Sequence, residues 1–236
     1  MFKTIIFLIS IVFYVNCAKL PPFITACAKN DHACALASAQ KAIPEMFKGY
    51  KPFKIRPLNP FKYEKLDLSK GDGLKIQLLN GEALISAFTL TEANVNSDTN
   101  KWHFKATYDV VGDSDYEVSG KLMIIPVEGK GKCRIEMDKV EIEYSVNLKV
   151  VERDGKEYYE IESDETIAKM AAVRMRFDNL FNGDKVLGDN VNLFINENWR
   201  EVEQEFHPGF VGLITAMIQE AVKPFLKNVP IEEIII

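Results

Sequence analysis

One amphipathic stretch, residues 190–227, constrains the fold of this chain more than any other. Apolar side chains recur there at steps of three or four residues, which corresponds to one face of a helix. At about 1.5 Å per residue this helix would run roughly 55 Å, so a long apolar face must be covered. Pro208, followed by Gly209, predicts a kink or a break, and the wider apolar arc beyond it predicts deeper burial of that half. The apolar face comprises Ile195, Trp199, Val202, Phe206, Phe210, Leu213, Met217 and Ala221.

Between residues 63 and 177 the hydrophobic period changes to two, which is typical of strands with one apolar and one solvated face. The clearest run, residues 133–151, would extend roughly 60 Å, whereas ordinary strands have about five or six residues. A change of phase at residues 138–139 predicts a β-bulge. Turn-forming residues divide the region into successive strands, which predicts an antiparallel meander without βαβ units. They predict turns at 97–100, 112–115, 128–131 and 154–155.

A long sheet and a long helix, each with one apolar face, cover each other best if the sheet wraps around the helix. The predicted fold class is therefore α+β, with a long, strongly curved antiparallel β-sheet around a long C-terminal α-helix. Such a sleeve is difficult to fill with side chains, and an unfilled part would be an elongated apolar cavity suited to a lipid-like ligand. Periodicity alone leaves a fully packed core as the alternative. The side chains predicted to line the cavity are Trp102, Phe104, Tyr108, Tyr144, Trp199, Phe206, Phe210 and Met217.

The start of the chain has the pattern of a secretory signal peptide. Lys3 is followed by an apolar run at residues 5–15 and a small-residue exit ending in Ala18. We therefore expect a signal peptide at residues 1–18 and a single secreted, extracellular domain at residues 19–236. The apolar run is too short to span a bilayer, and no other stretch is expected to reach the ~20 residues required. Stable membrane insertion is not expected.

The charge of the chain bears on its partners. The net charge is −5 at pH 7, and loss of Lys3 with the signal peptide leaves 28 basic against 34 acidic residues, a net charge of −6. A mildly acidic protein has no basic face to offer nucleic acid or anionic lipid. We therefore expect no nucleic-acid partner.

The region before the strands predicts a tethered helix and an extended connector. Asp31 can cap a helix that runs to Phe47. Cys27 and Cys34 should pair in an oxidising compartment, which would stabilise the fold by about 2 kcal/mol. The proline-rich residues 53–68 contain little Gly or Ser, which favours an ordered connector lying against the body over a flexible linker.

The sequence contains no recognisable catalytic or metal-binding motif. The three histidines, His32, His103 and His207, fall in separate predicted elements, and no metalloprotease, nucleophile-elbow or Walker-type pattern is present. Because Cys17 would be lost with the signal peptide, Cys133 is left without a partner. A buried free thiol is a simpler interpretation of it than a reactive nucleophile, because nothing around it in the sequence supplies a base. We expect no enzyme activity, no cofactor and no metal.

Three stretches of the chain carry a resemblance to a known family. The first is the Cys27 and Cys34 pair with the connector at 53–68; the second is YEVSGKLMIIPVEGKGKC, residues 116–133. The third and most specific is FNGDKVLGDNVNLFINENW, residues 181–199. Together they resemble the takeout and juvenile-hormone-binding-protein family of insect secreted carriers over essentially the whole mature chain.

The resemblance implies a curved antiparallel sheet that wraps a long C-terminal helix around a hydrophobic tunnel. It also implies binding or transport of an apolar ligand without chemistry. The hormone-binding branch carries a second disulfide in its later part, whereas Cys133 has no partner here. The chain is therefore more similar to the takeout-like branch, whose ligands vary.

The leading hypothesis is a secreted carrier of an elongated hydrophobic small molecule, such as a terpenoid, a fatty-acid-like or a quinone-like compound. The alternative is a secreted signalling or interaction protein that acts through its surface and has a filled core. A third class, a lipid-directed enzyme, would need a nucleophile and a base within reach, which the scattered histidines do not favour.

Overall fold

The computed structural model describes residues 20–69 and 73–236, so that the predicted signal peptide and Cys17 lie outside the described residues. One sheet of five antiparallel strands, each paired with its neighbour in sequence, curves along a long C-terminal helix, as the sequence predicts. The strands are β1 (Phe61–Asp67), β2 (Leu74–Asn96), β3 (Lys101–Leu122), β4 (Ile125–Arg153) and β5 (Lys156–Phe177). The helices are α1 (His32–Phe47), α2 (Lys185–Glu197), α3 (Trp199–Asn228) and α4 (Ile231–Ile234), with 3-10 turns at Lys51–Phe53 and Phe181–Gly183.

Bulges bend the long strands. Strand β4 has 29 residues and alternates buried with more exposed side chains. The bulge predicted at residues 138–139 is confirmed, because the β3–β4 register shifts there. Lys139 adopts a left-handed φ of 48°, and its N–H donates to Asp109 Oδ1 at 2.8 Å. The pairing of β2 with β3 contains three further register shifts. Since each bulge increases the local twist and bends its strand, the sheet curves instead of lying flat.

Two of the four predicted turns are confirmed and two are wrong. The chain reverses at 97–100 and 154–155, but residues 112–115 and 128–131 lie inside β3 and β4, and the reversal between those strands is at 123–124. The glycines of the second segment, Gly129 and Gly131, form no turn. They allow residues 178–180 to pass close to the β4 backbone. A Cβ on Gly131 would lie 2.4 Å from the Asp178 carbonyl oxygen, and one on Gly129 would lie 2.9 Å from Leu180 Cα.

The connector before the sheet packs as predicted but also contributes an edge strand. Ile55, Leu58 and Phe61 are buried against the body. From Phe61 onward the chain pairs with β2 as β1. The ring of Tyr63 lies where a Cβ on Gly81 would be, so it packs directly on the β2 backbone.

The C-terminal helical region breaks at Asn198 and not at Pro208, so of the two predicted alternatives the break is wrong and the kink stays a prediction. Asn198 has non-helical angles (φ −112°, ψ 32°), whereas α3 continues through Pro208 and Pro224. The break lets α2 follow the free edge of β5, where two asparagines replace a sixth strand. Asn192 accepts from the Phe177 N–H at 2.9 Å and donates to the Phe177 carbonyl at 2.8 Å. Asn196 does the same at Met175, at 2.9 and 2.7 Å.

The core differs between the two ends of the sheet. At the α2 end the apolar side chains fill the interior, leaving a cavity of only about 30 Å³. At the α1 end the core is divided into smaller clusters around a much larger cavity. The predicted deeper burial of the helix beyond Pro208 is wrong: its apolar side chains are mostly only partly buried because they face this cavity.

Candidate ligand cavity

A cavity of about 380 Å³ lies between α1, the inner face of the sheet and α3. Short side chains on the facing elements create it. Helix α1 presents Ala35, Ala39 and Ala42 at steps of four and three, so one helical face carries little volume. Ala106 and Gly112 are similarly small on the sheet side. The space that large side chains occupy at the α2 end therefore stays open here.

Helix α3 supplies a wall of larger apolar side chains. They recur at steps of three and four residues, which places them on one helical face. They include Phe210, Leu213, Ile214, Met217, Ile218, Ala221 and Phe225.

Polar contacts hold the same helix against the sheet beside this wall. Asp164 accepts from Tyr144 Oη at 2.9 Å and from Gln219 Nε2 at 2.7 Å. We call these three residues the helix–sheet junction.

The predicted disulfide between Cys27 and Cys34 is confirmed and lies at one end of the cavity. It ties the N-terminal segment to α1, where the predicted cap is also present: the Asp31 carboxylate accepts from the Cys34 N–H at 3.0 Å. Cys27 also pairs with the C-terminus, donating to the Ile234 carbonyl and accepting from the Ile236 N–H, each at 3.0 Å. The segment around Cys27 and the C-terminal residues Ile234 and Ile235 thus line the cavity together.

The lining is almost entirely apolar. Among its described residues none is Lys, Arg or His, and the one carboxylate, Asp31, is engaged as the α1 cap. Burial raises the pKa of Tyr108, and burial together with the Asp164 carboxylate raises that of Tyr144. Both phenols therefore remain neutral at physiological pH.

The structure brings six of the eight predicted lining residues together around the cavity: Trp102, Phe104, Tyr108, Tyr144, Phe210 and Met217. It places the other two at the filled end, where Trp199 packs on the core and Phe206 borders the small second cavity. A role in binding stays a prediction for all of them. Sequence reasoning did not include the α1 wall, although alanines spaced at helical steps on one face were a usable signal.

Cys133 and the three histidines lie outside this cavity. Cys133 is a buried free thiol at the filled end, 3.2 Å from Ser114 Oγ, and burial raises its pKa. The three histidines bond separately, to Val95, Ser145 and Glu203. Over residues 20–69 and 73–236, no group of three or more His, Cys, Asp or Glu side chains could hold a metal ion.

One sequence expectation about membranes needs correction. By length and composition, helix α3 is long and apolar enough to cross a bilayer. The expectation that no stretch beyond the N-terminus reaches the required length is therefore wrong. Its apolar face is directed at the cavity, and helix and sheet are in contact along β5.

Comparisons with known proteins agree with this architecture. The family model described as haemolymph juvenile hormone binding protein (JHBP) matches residues 5–236. The circadian clock-controlled protein daywake of Drosophila yakuba is 23% identical over 226 residues, covering 90% of this chain and 87% of the relative. The Drosophila melanogaster daywake protein is 22% identical over 233 residues, with the same coverage. The crystal structure of Epiphyas postvittana Takeout 1 matches with a TM-score of 0.83 at 21% identity, covering 90% of this chain and 99% of that one.

Proposed function

The chain belongs to the haemolymph juvenile hormone binding protein family, and from that premise we propose that it is a secreted carrier of an elongated hydrophobic small molecule. The cavity between α1, the sheet and α3 would hold the molecule as an internal tunnel. The ligand class is a terpenoid, a fatty-acid derivative or a quinone-like compound.

The observation that carries the proposal is an apolar cavity of about 380 Å³. Ligand sites in proteins typically measure about 300–1,000 Å³ and are lined mainly by apolar and aromatic side chains. A single water needs only about 10–15 Å³, but also two to four polar partners, which this lining hardly offers. An apolar ligand fills such a space better than water does. Burial would contribute about 25 cal/mol per Å² of apolar surface removed from water.

Secretion and the absence of catalysis complete the proposal. The signal-like residues 1–18 and the Cys27–Cys34 disulfide support an extracellular protein with one domain at 19–236. We propose no chemical step, because no histidine lines the cavity and the Cys133 thiol is buried at the other end. The acidic net charge supports neither nucleic acid nor anionic membrane as a partner. An interaction protein with a filled core is less well supported, since the core at the α1 end is not filled.

Uptake of a fluorescent apolar probe tests the proposal. The purified protein should bind the probe saturably, and a panel of terpenoids, fatty-acid esters and quinones should displace it. Met217→Arg places a charge among apolar lining side chains and should abolish uptake, because an unpaired charge is strongly disfavoured there. Ala216→Arg is the matched control: it changes the neighbouring, exposed position of α3 and should leave uptake intact.

Circular dichroism of both variants accompanies the assay, so that a loss of fold is not mistaken for a loss of binding. Unchanged uptake by a folded Met217→Arg protein would remove this cavity as the binding site. No saturable uptake of any probe by the wild-type protein would contradict the carrier function.

A further inference from the structure

The hairpin between β3 and β4 ends in an exposed apolar turn. Met123 and Ile124 form a two-residue loop between Leu122 and Ile125, which pair with each other. Ile124 is 86% exposed and Met123 is 39% exposed. The reversals at 97–100 and 154–155, which join the other long strands, consist of polar residues and glycine, as is usual for turns. The apolar apex is therefore particular to this hairpin.

The backbone of this turn favours different residues. Met123 has a left-handed φ of 54° at the first position of the loop. Glycine is preferred there because it has no Cβ, and Asn, Asp or Ser commonly follows it. The exposed Ile124 side chain gives the core little in return. A strained turn with apolar side chains directed at solvent indicates a role outside the fold of the chain itself.

Helix α2 adds exposed apolar side chains at the same end of the molecule. Leu122 and Val127, which flank the turn, line the small second cavity together with Val191 of α2. The first turn of α2 therefore lies at the same end of the sheet as the hairpin apex. Val186 and Leu187 in that turn are 71% and 49% exposed. We call the following four residues the apolar tip: Met123, Ile124, Val186 and Leu187.

The charges beside the apolar tip suit a phospholipid surface. Lys121 precedes the apex and Lys185 begins α2; both are exposed, and neither forms an ion pair with any residue that the structure describes. The Asp184 carboxylate is engaged as the α2 cap, and Glu128 lies further from the apex, opposite Ser119 in β3. Apolar side chains in front and lysines behind match a bilayer, where phosphate groups lie above the acyl chains.

A protein partner would need more surface than the apolar tip offers. A stable protein interface comprises roughly 20–30 residues a side, whereas the tip is a two-residue apex and one helical turn. Insertion of a few apolar side chains is enough for weak, reversible attachment to a bilayer. The acidic net charge does not oppose this contact strongly, because charges more than about 8 Å away are screened at physiological ionic strength.

We propose that the apolar tip docks the protein reversibly on phospholipid bilayers, with its side chains among the acyl chains and Lys121 and Lys185 at the level of the phosphates. This inference goes beyond the carrier function and does not depend on it. The tip lies at the filled end of the core, away from the ligand cavity at the α1 end.

Flotation with vesicles tests the docking surface. Wild-type protein at physiological ionic strength should float with vesicles of phosphatidylcholine, and with vesicles of phosphatidylcholine mixed with phosphatidylserine. Met123→Gly combined with Ile124→Asn gives the turn the residues that its backbone favours. This variant should unfold at the same or a higher temperature than wild-type protein, yet bind both kinds of vesicle more than tenfold more weakly, because two apolar side chains are lost.

Leu84→Asn is the matched control, since Leu84 is also exposed (52%) but lies on β2, opposite Val111 and far along β3 from the apex. It should leave vesicle binding unchanged. Lys121→Gln combined with Lys185→Gln should weaken binding to the phosphatidylserine-containing vesicles about fivefold per lysine. An environment-sensitive dye at Ile124→Cys should shift its emission to shorter wavelength on vesicles, whereas the same dye at Leu84→Cys should not.

Three results would overturn the proposal. Wild-type protein that does not float with either vesicle would do so, and if sedimentation showed self-association that the Gly–Asn variant lacks, a second copy would be what covers the tip. Equal vesicle binding by wild-type protein and the folded Gly–Asn variant would place the contact elsewhere. A destabilised Gly–Asn variant would show that the apolar pair supports the fold. None of these results touches the carrier function, which uptake of the apolar probe tests separately.

Discussion

Filling the cavity from one of its walls should separate ligand binding from folding. Ala221 lies on α3, lines the cavity and is partly buried. Ala221→Phe would direct a ring into space that the wild-type protein leaves open. The variant should therefore fold more stably and bind less ligand, a combination that general damage to the fold does not produce.

The magnitudes follow from burial. A buried Phe side chain contributes about 1.5–3 kcal/mol, against roughly 0.5 kcal/mol for its lower helix propensity. The net gain of about 1–2.5 kcal/mol corresponds to a rise in Tm of about 2–10 °C for a chain of this size. If the ring displaces three or four ligand methylene groups at about 0.8 kcal/mol each, affinity should fall on the order of 100-fold.

Thermal unfolding of ligand-free protein and titration with an apolar fluorescent probe measure the two effects. Ala216→Phe is the control, because Ala216 is exposed on the same helix; it should change neither quantity appreciably. A stabilised Ala221→Phe protein with wild-type affinity would show that the probe binds elsewhere. A destabilised one would show that the space beside Ala221 is too small for a ring, which would refute the estimate of stability.

Three further predictions concern stability. Asp164→Ala leaves both donors of the helix–sheet junction without their acceptor and should lower the free energy of unfolding, measured in urea, by about 1–3 kcal/mol. Asp164→Asn should lower it by less. An unchanged urea midpoint would contradict the role of the junction. Replacing both Cys27 and Cys34 by Ser should cost about 2 kcal/mol under oxidising conditions, and equal stability under reducing conditions would confirm the cause. Burial raises the pKa of Tyr116 to about 12, so the stability it contributes is fully present below pH 10 and is lost as the pH rises to 12. Tyr116→Phe should therefore lose stability less steeply between pH 10 and 12, as followed by circular dichroism.

The features predicted most reliably from the sequence are those that residues close together along the chain determine. The alternation along β4, the bulge at 138–139 and the α1 cap at Asp31 each follow from local spacing and were confirmed. The reversal at 154–155 has the same origin. The long strands and the long helix were visible because their periodicity runs over many residues.

Features that depend on distant contacts could not be predicted in this way. Gly129 and Gly131 have the composition of a turn, yet they are required because residues 178–180 pass against β4. The helix breaks at Asn198, and Pro208 lies inside α3, because α2 is bound to the β5 edge through Asn192 and Asn196.

The same limit applies to the cavity. Periodicity placed Trp199 and Phe206 on the same helical face as Phe210 and Met217, but could not show that α2 fills one end of the sheet while α1 leaves the other open. That difference comes from side-chain volume on a separate element, the alanine face of α1.

Native mass spectrometry of the secreted, disulfide-intact protein, followed by solvent extraction of the same sample, tests the carrier function most directly. A carrier should show a mass excess that disappears on denaturation, and the extract should contain an apolar small molecule. A bare polypeptide mass, together with failure of the same protein to take up fluorescent fatty-acid esters and terpenoids, would contradict it.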